Sequence, residues 1–162
     1  DVYKRQGYML GPRINAGGRV GKCSHGANLL LDNDPKNAFK LASELDQYNK
    51  ERQMLEKDLL QEILNETNNY SKDPVLVLSG QNWHQGVIGI VAARLKDKFN
   101  KPVIIISIEE EIGKASARSI VGFDIGSIII AATQKNILLK GGGHKMAGGF
   151  SIKIENLSLI HI

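Results

Sequence analysis

Val75-Leu76-Val77-Leu78 and Val103-Ile104-Ile105-Ile106 are two continuous apolar runs of strand length, and what lies between them decides the fold. A strand that is apolar at every position is buried on both faces, as in the interior of a parallel sheet. Between the runs, a loop from Gly80 to Gly86 precedes Ile88, Val91, Ala92, Leu95 and Phe99, whose spacing by threes and fours marks one face of a helix. Pro102 marks the entry to the second run. Strand, helix and strand at this spacing predict a parallel βαβ unit with a right-handed crossover.

Toward the C-terminus, Glu109-Glu110-Glu111-Ile112-Gly113 reads as a solvated turn leading into a third strand around Lys114–Ser119. Asp124 is placed to cap a helix over 125–135, where Ile125, Ile128, Ile129 and Ala132 share a face. Isoleucine lowers intrinsic helix propensity, so burial must carry that element. Gly149-Phe150-Ser151-Ile152-Lys153-Ile154 alternates as a strand. The sum is an α/β fold: a compact mixed-sheet domain over 71–156, with 157–162 left as an unassigned tail.

Toward the N-terminus, Asp34-Pro35 combines a cap residue with proline at the first helical position. Ala38, Leu41, Leu45, Tyr48, Leu55, Leu59 and Ile63 then form one stripe, with Arg52 filling a place in it. Glu44, Lys50, Glu51, Glu56, Lys57, Asp58 and Glu62 are expected on the other faces. A helix from 35 to about 68 would be on the order of 50 Å long. It reads as a connector over 34–70 or as a bundle helix, and the narrow stripe favours the connector. Asn65-Glu66-Thr67-Asn68-Asn69 and Ser71-Lys72-Asp73-Pro74 end it. Residues 1–33, centred on Gly11-Pro12-Arg13-Ile14-Asn15-Ala16-Gly17-Gly18-Arg19, are glycine-rich and read as irregular, a loop and a short helix belonging to something upstream.

The net charge of +4 and pI near 9.2 are mildly basic, compatible with an anionic partner but weak grounds for one. One cysteine, Cys23, excludes an internal disulfide and a cysteine-rich zinc site. No apolar run reaches membrane-span length and Asp1–Gln6 shows no signal-peptide core, so a cytoplasmic protein with no membrane association is expected.

Three places carry candidate chemistry. Gly141-Gly142-Gly143-His144 reads as a loop whose bare backbone can approach an anion, and five glycines fall within residues 141–149. Ser116 and Arg118, with Lys114, share one face of a strand; that face is either a solvated edge or a phosphate-binding wall. Asn82-Trp83-His84-Gln85-Gly86 stands at a helix N-terminus, where free N–H groups suit an anion and His84 can donate to it. Trp83 either stacks a base or fills a core position. The four histidines, at 25, 84, 144 and 161, form no metal-ligand pair, and no complete catalytic centre is expected in the chain.

Four segments in order resemble the RecJ-like exonucleases of the DHH phosphoesterase superfamily: Gly11-Pro12-Arg13-Ile14-Asn15-Ala16 with Arg19, Trp83–Ala92, Ser116-Ala117-Arg118-Ser119, and Gly142-Gly143-His144. The resemblance covers roughly 9–155. It implies that 1–33 ends a DHH catalytic lobe, that 34–70 connects, and that 71–156 is a DHH-associated nucleic-acid-binding domain. It implies a partner, single-stranded DNA with a 5′-phosphate end, held by Ser116, Arg118, Gly141, Gly142, Gly143, His144 and His84. Arg13, Asn15 and Arg19 would face the same cleft from the catalytic lobe. His144 would lie near the reacting phosphate, and Mg2+ or Mn2+ would be held upstream, leaving no metal ligand here and the chain alone inactive. The activity implied is 5′→3′ hydrolysis of single-stranded DNA. A DHH-family oligonucleotide or cyclic-dinucleotide phosphodiesterase, or a stand-alone single-strand-binding module, are the alternatives. Gly17 stands where members of the family often carry alanine.

Overall fold

The structure, a computed structural model, describes residues 1–66 and 73–160. The chain divides into two compact units, Asp1–Asp58 and Leu59–Ile162.

In the first unit the glycine-rich segment is helical, contrary to the irregular reading. α1 (Val2–Arg5) runs into a π-helical turn (Gln6–Leu10), followed by α2 (Gly11–Val20) and α3 (His25–Leu31). Pro12 sits at the start of α2, where its fixed φ costs nothing. Glycine in this helix is retained for packing: a Cβ on Gly17 would lie 2.7 Å from the Lys22 carbonyl oxygen and 3.2 Å from the Leu45 side chain. Alanine, which the family resemblance leads one to expect at this place, does not fit the present backbone. Composition argues against a helix here, and close backbone contact overrides it.

α4 (Pro35–Glu66) begins where Asp34-Pro35 predicts. The expected continuation beyond Glu66, and much of the expected helix end, lie outside the described residues. Leu41 and Leu45 are buried in the first unit, and Leu59 and Ile63 in the second, along the stripe read from the sequence. One assignment is corrected: Glu56, expected on a solvated face, is buried, and the Arg52 guanidinium donates to its carboxylate at 2.6 Å.

The second unit is built on a five-stranded mixed sheet of order β1-β2-β3-β5-β4. Its strands are β1 (Leu76–Gln81), β2 (Val103–Glu109), β3 (Ile112–Arg118), β4 (Lys140–His144) and β5 (Ala147–Lys153). β1 and β2 are parallel and joined by α5 (Gln85–Phe99), while the remaining neighbours are antiparallel. α6 (Ile125–Gln134) follows β3, and Asp124 caps it by accepting the Ser127 backbone N–H at 3.0 Å. A 3-10 segment, Ile154–Ile160, ends the described chain.

Each face of the sheet has its own helix. Val87, Ile88, Val91, Ala92 and Leu95 of α5 are buried, and this helix packs on β2 and β3. On the opposite face Ile125 and Ile129 of α6 pack with Ile106, Ala117, Phe150 and Ile152 into one apolar core. Leu157 and Ile160 of the 3-10 segment pack against that core too. Burying a side chain of this size contributes about 1.5–3 kcal/mol, which carries the isoleucine-rich α6 despite its weak propensity. α5 packs on β2 and β3, so among the described residues of the second unit no helix packs on the α5 face of β5 and β4.

Candidate nucleic-acid interface

The segment expected to be a glycine loop is an edge strand. Lys140–His144 pairs with β5 through Lys140↔Ser151, Gly142↔Gly149 and His144↔Ala147. Residues directly opposite one another in an antiparallel pair project to the same face. β5 in turn pairs with β3 through Ser151↔Lys114, Gly149↔Ser116 and Ala147↔Arg118. Three parallel rows follow: Arg118–Ala147–His144, Ser116–Gly149–Gly142 and Lys114–Ser151–Lys140. All nine residues face away from α6.

Arg118 and His144 thus sit two strands apart on a common face, about 10 Å between backbones from the usual strand spacing. Exposure in β4 alternates accordingly: Lys140, Gly142 and His144 are open, and Gly141 and Gly143 are half-buried. The triplet divides by role. A Cβ on Gly141 would lie 2.7 Å from Ile129, and one on Gly143 would lie 2.5 Å from the Ala147 carbonyl oxygen. These two are glycine because the fold requires it. Gly142 meets no heavy atom within 4 Å and has an ordinary backbone conformation, so nothing within the fold excludes a side chain there.

The Ser116 and Arg118 side chains are ordered between the sheet and α5. Arg118 Nη1 donates to Ser116 Oγ at 3.2 Å and to the Ala117 carbonyl at 2.8 Å. Gly89 of α5 leaves room for them: a Cβ there would stand 2.8 Å from Ser116 Oγ and 3.1 Å from Arg118 Nη2. Gly126 plays the corresponding part for β4 on the other face, since a Cβ on it would meet the His144 backbone oxygen at 2.7 Å.

At the Lys114 end of the rows lies an open depression of about 570 Å3, lined by Gln85, Lys114, Lys140, Ser151 and the bare surface of Gly142 and Gly149. Gln85 is the first residue of α5, so the positive end of that helix borders it. Sequence reasoning placed Lys114 on one face with Ser116 and Arg118, as the register has it, and named Gln85 only within the 82–86 segment, but did not single out Lys140 or Ser151. The signal was present: read as a strand, Lys140-Gly141-Gly142-Gly143-His144 alternates, and Lys140 falls in line with Gly142 and His144.

Other candidates fall outside these three rows. His84 caps α5, its Nδ1 accepting the Gly86 N–H at 3.1 Å, and it does not line the depression. Trp83 packs over Gly80, and its indole N–H donates to Glu62 at 3.0 Å, which makes its role structural. Arg13, Asn15 and Arg19 belong to the first unit. There Arg13 Nε donates to Asp46 at 2.7 Å and its Nη1 to the Met9 carbonyl at 2.7 Å. Lys50 and then Arg13 hold the Asp46 carboxyl below its ordinary value.

The donor set of the open face is lysine, arginine, histidine and serine, suited to an anion and unsuited to a divalent cation, which needs several carboxylate or carbonyl oxygens. Among the described residues no three His, Cys, Asp or Glu side chains are grouped as a metal ion requires. The residues present therefore do not fit Mg2+ or Mn2+. Among the described residues, no helix is long and apolar enough to cross a membrane.

Residues 72–160 match the DHHA1 domain family. Over 160 residues the chain is 40% identical to the single-stranded-DNA-specific exonuclease RecJ of Haemophilus influenzae, with 94% of this chain and 28% of that protein aligned. RecJ of Bacillus subtilis is 38% identical over 154 residues, covering 93% of this chain and 19% of the relative. The crystal structure of RecJ from Thermus thermophilus in complex with Mg2+ superposes with a TM-score of 0.86 at 30% identity, covering 97% of this chain and 24% of that one. The chain spans well under a third of the length of the relatives it matches.

Proposed function

We propose that this chain, which belongs to the DHHA1 domain family, grips single-stranded DNA by a 5′-phosphate end as part of a RecJ-like exonuclease that hydrolyses the strand 5′→3′. The observation that carries the reading is the strand register, which sets Arg118 and His144 in one row, across Ala147, beside the bare surface of Gly149 and Gly142. A guanidinium recognises a phosphate by paired, charge-assisted hydrogen bonds, and Ser116 adds a hydroxyl beside it. Bare glycine lets the sugar-phosphate backbone lie against the sheet.

In this reading the chain supplies positioning: Arg118 and Ser116 set the register of the strand, and His144 stands near the phosphate to be cleaved. Metal-assisted hydrolysis belongs to parts of the relatives that this chain does not span, and no step of it is assigned to residues here. Similarity to RecJ along most of the chain supports this reading over a small-nucleotide phosphodiesterase or a stand-alone module.

The test compares binding of 5′-phosphorylated and 5′-hydroxyl oligodeoxynucleotides by the wild-type chain and Arg118→Ala, using fluorescence anisotropy. The wild type is expected to favour the phosphorylated end. The variant should lose about 2–4 kcal/mol of that preference, the range for a charge-assisted contact in a preorganised site. Normal preference in Arg118→Ala would overturn the assignment.

A further inference from the structure

We propose that Lys114, Ser151 and Lys140 form a second phosphate subsite, which takes an internal phosphate of the strand whose 5′ end is held at Arg118 and so sets a minimum length for tight binding. The inference rests on the reading of this face as a single-strand-binding surface.

Ser151 stands directly opposite Lys114 on one neighbouring strand and opposite Lys140 on the other. Directly opposed side chains on adjacent strands start about 4.5–5.5 Å apart. Both lysines therefore flank the serine hydroxyl from adjacent strands, and all three side chains line one depression. Ser151 is only 7% exposed and stands between Phe150 and Ile152, in a strand segment that is otherwise apolar. A buried hydroxyl at the bottom of an open depression, flanked by two cations, is a donor set for a phosphate oxygen.

The charges around the subsite are placed to leave it positive. Glu109 stands to one side of it, with its carboxylate 3.7 Å from Lys114 Nζ and accepting from Gln85 Nε2 at 2.6 Å. Among the described residues Lys140 makes no ion pair. Gln85 brings the positive end of α5 to the rim. Two lysines about 10 Å apart repel one another across little more than a Debye length, and a bound phosphate removes that cost.

Geometry gives the length dependence. Lys114 lies four residues from Arg118 along β3, about 13 Å at the usual rise. Charges of a stacked strand recur about every 3.4 Å, and farther apart when it is extended, so the two subsites are bridged by no more than about four nucleotides. A dinucleotide fills the Arg118 end alone, and an octanucleotide fills both.

The experiment measures binding of 5′-phosphorylated oligothymidylate, as dinucleotide and as octanucleotide, to the whole 162-residue chain at several salt concentrations. The variants are Lys114→Gln/Lys140→Gln and, separately, Ser151→Ala, with folding checked by thermal melting. In the lysine double variant octanucleotide affinity is expected to fall about tenfold at low salt, and its logarithmic salt slope to shrink by about 0.7, the value for one phosphate on a single strand. Dinucleotide affinity should stay within about twofold, because screened interactions between exposed charges more than a Debye length apart are small. Ser151→Ala should show the same selectivity at smaller amplitude. Equal weakening of both ligands, or unchanged octanucleotide binding by the double variant, would overturn the subsite. A wild-type chain that binds neither oligonucleotide would overturn the underlying reading, and this one with it.

Discussion

Replacing Gly142 by alanine adds one methyl to the open face of β4, where no heavy atom lies within 4 Å of the new Cβ. Glycine inside a strand costs about 0.5–1 kcal/mol relative to alanine through backbone entropy. With no clash to offset that gain, Gly142→Ala should leave the melting temperature unchanged or raise it. A ligand lying on the glycine surface experiences the opposite. A methyl forced into a close-packed contact costs about 1–3 kcal/mol, which is roughly a five- to 150-fold loss of affinity. The assay pairs thermal melting of the chain with anisotropy titration of a 5′-phosphorylated octanucleotide. Gly126→Ala is the control for a glycine required by the fold, since its Cβ would lie 2.7, 2.8 and 2.9 Å from the His144 backbone oxygen, carbon and nitrogen. That variant should melt well below wild type. Unchanged octanucleotide affinity in Gly142→Ala, or a clear loss of its stability, would refute the view that this glycine is kept for a ligand.

Gly89→Ala places a Cβ 2.8 Å from Ser116 Oγ and 3.1 Å from Arg118 Nη2. The helix gains about 1 kcal/mol in propensity while the Arg118 end swings aside, so stability should change little. Preference for a 5′-phosphate should fall, and an intact preference measured by anisotropy would count against the placement of Arg118. The backbone N–H of Ser127, foremost, with Lys145 nearby, holds the Asp124 carboxyl below its ordinary value of 3.8. A lowered carboxyl contributes stability that is present above the unfolded value and is lost as pH falls through the folded one. Asp124→Asn should therefore melt below wild type at neutral pH, and the gap should narrow as pH falls below that ordinary value. A gap of constant size across that range would refute the linkage.

Several elements were legible because their signal is local. The apolar runs at 75–78 and 103–106 contain their own evidence of double-sided burial, and β1 and β2 form there as a parallel pair. Asp124 and the face of Ile125 and Ile129 identified α6, and the long stripe placed Leu41, Leu45, Leu59 and Ile63 in buried positions. Other features were misread for physical reasons. The 11–20 helix is poor in propensity and exists because Gly17 lets backbone and Leu45 approach. Glu56 is spaced like a solvated residue, yet Arg52 one turn earlier neutralises it and allows burial.

The glycine segment shows where sequence information stops. Its composition, with Ser116, Arg118 and His144 nearby in the reading, indicated a surface for an anion, because bare backbone and those side chains suit a phosphate whatever the conformation. A run of glycines has no side-chain alternation of its own, so its sequence does not show whether it is a loop or a strand, or which face each residue presents. Pairing with β5 and the placement of α6 beneath decided both: Gly141 and Gly143 were turned to the packed side and Gly142 to the open one. The same pairing set Lys140 and Ser151 beside Lys114, a grouping of residues distant in the chain that arises only when hydrogen bonds between strands set the register.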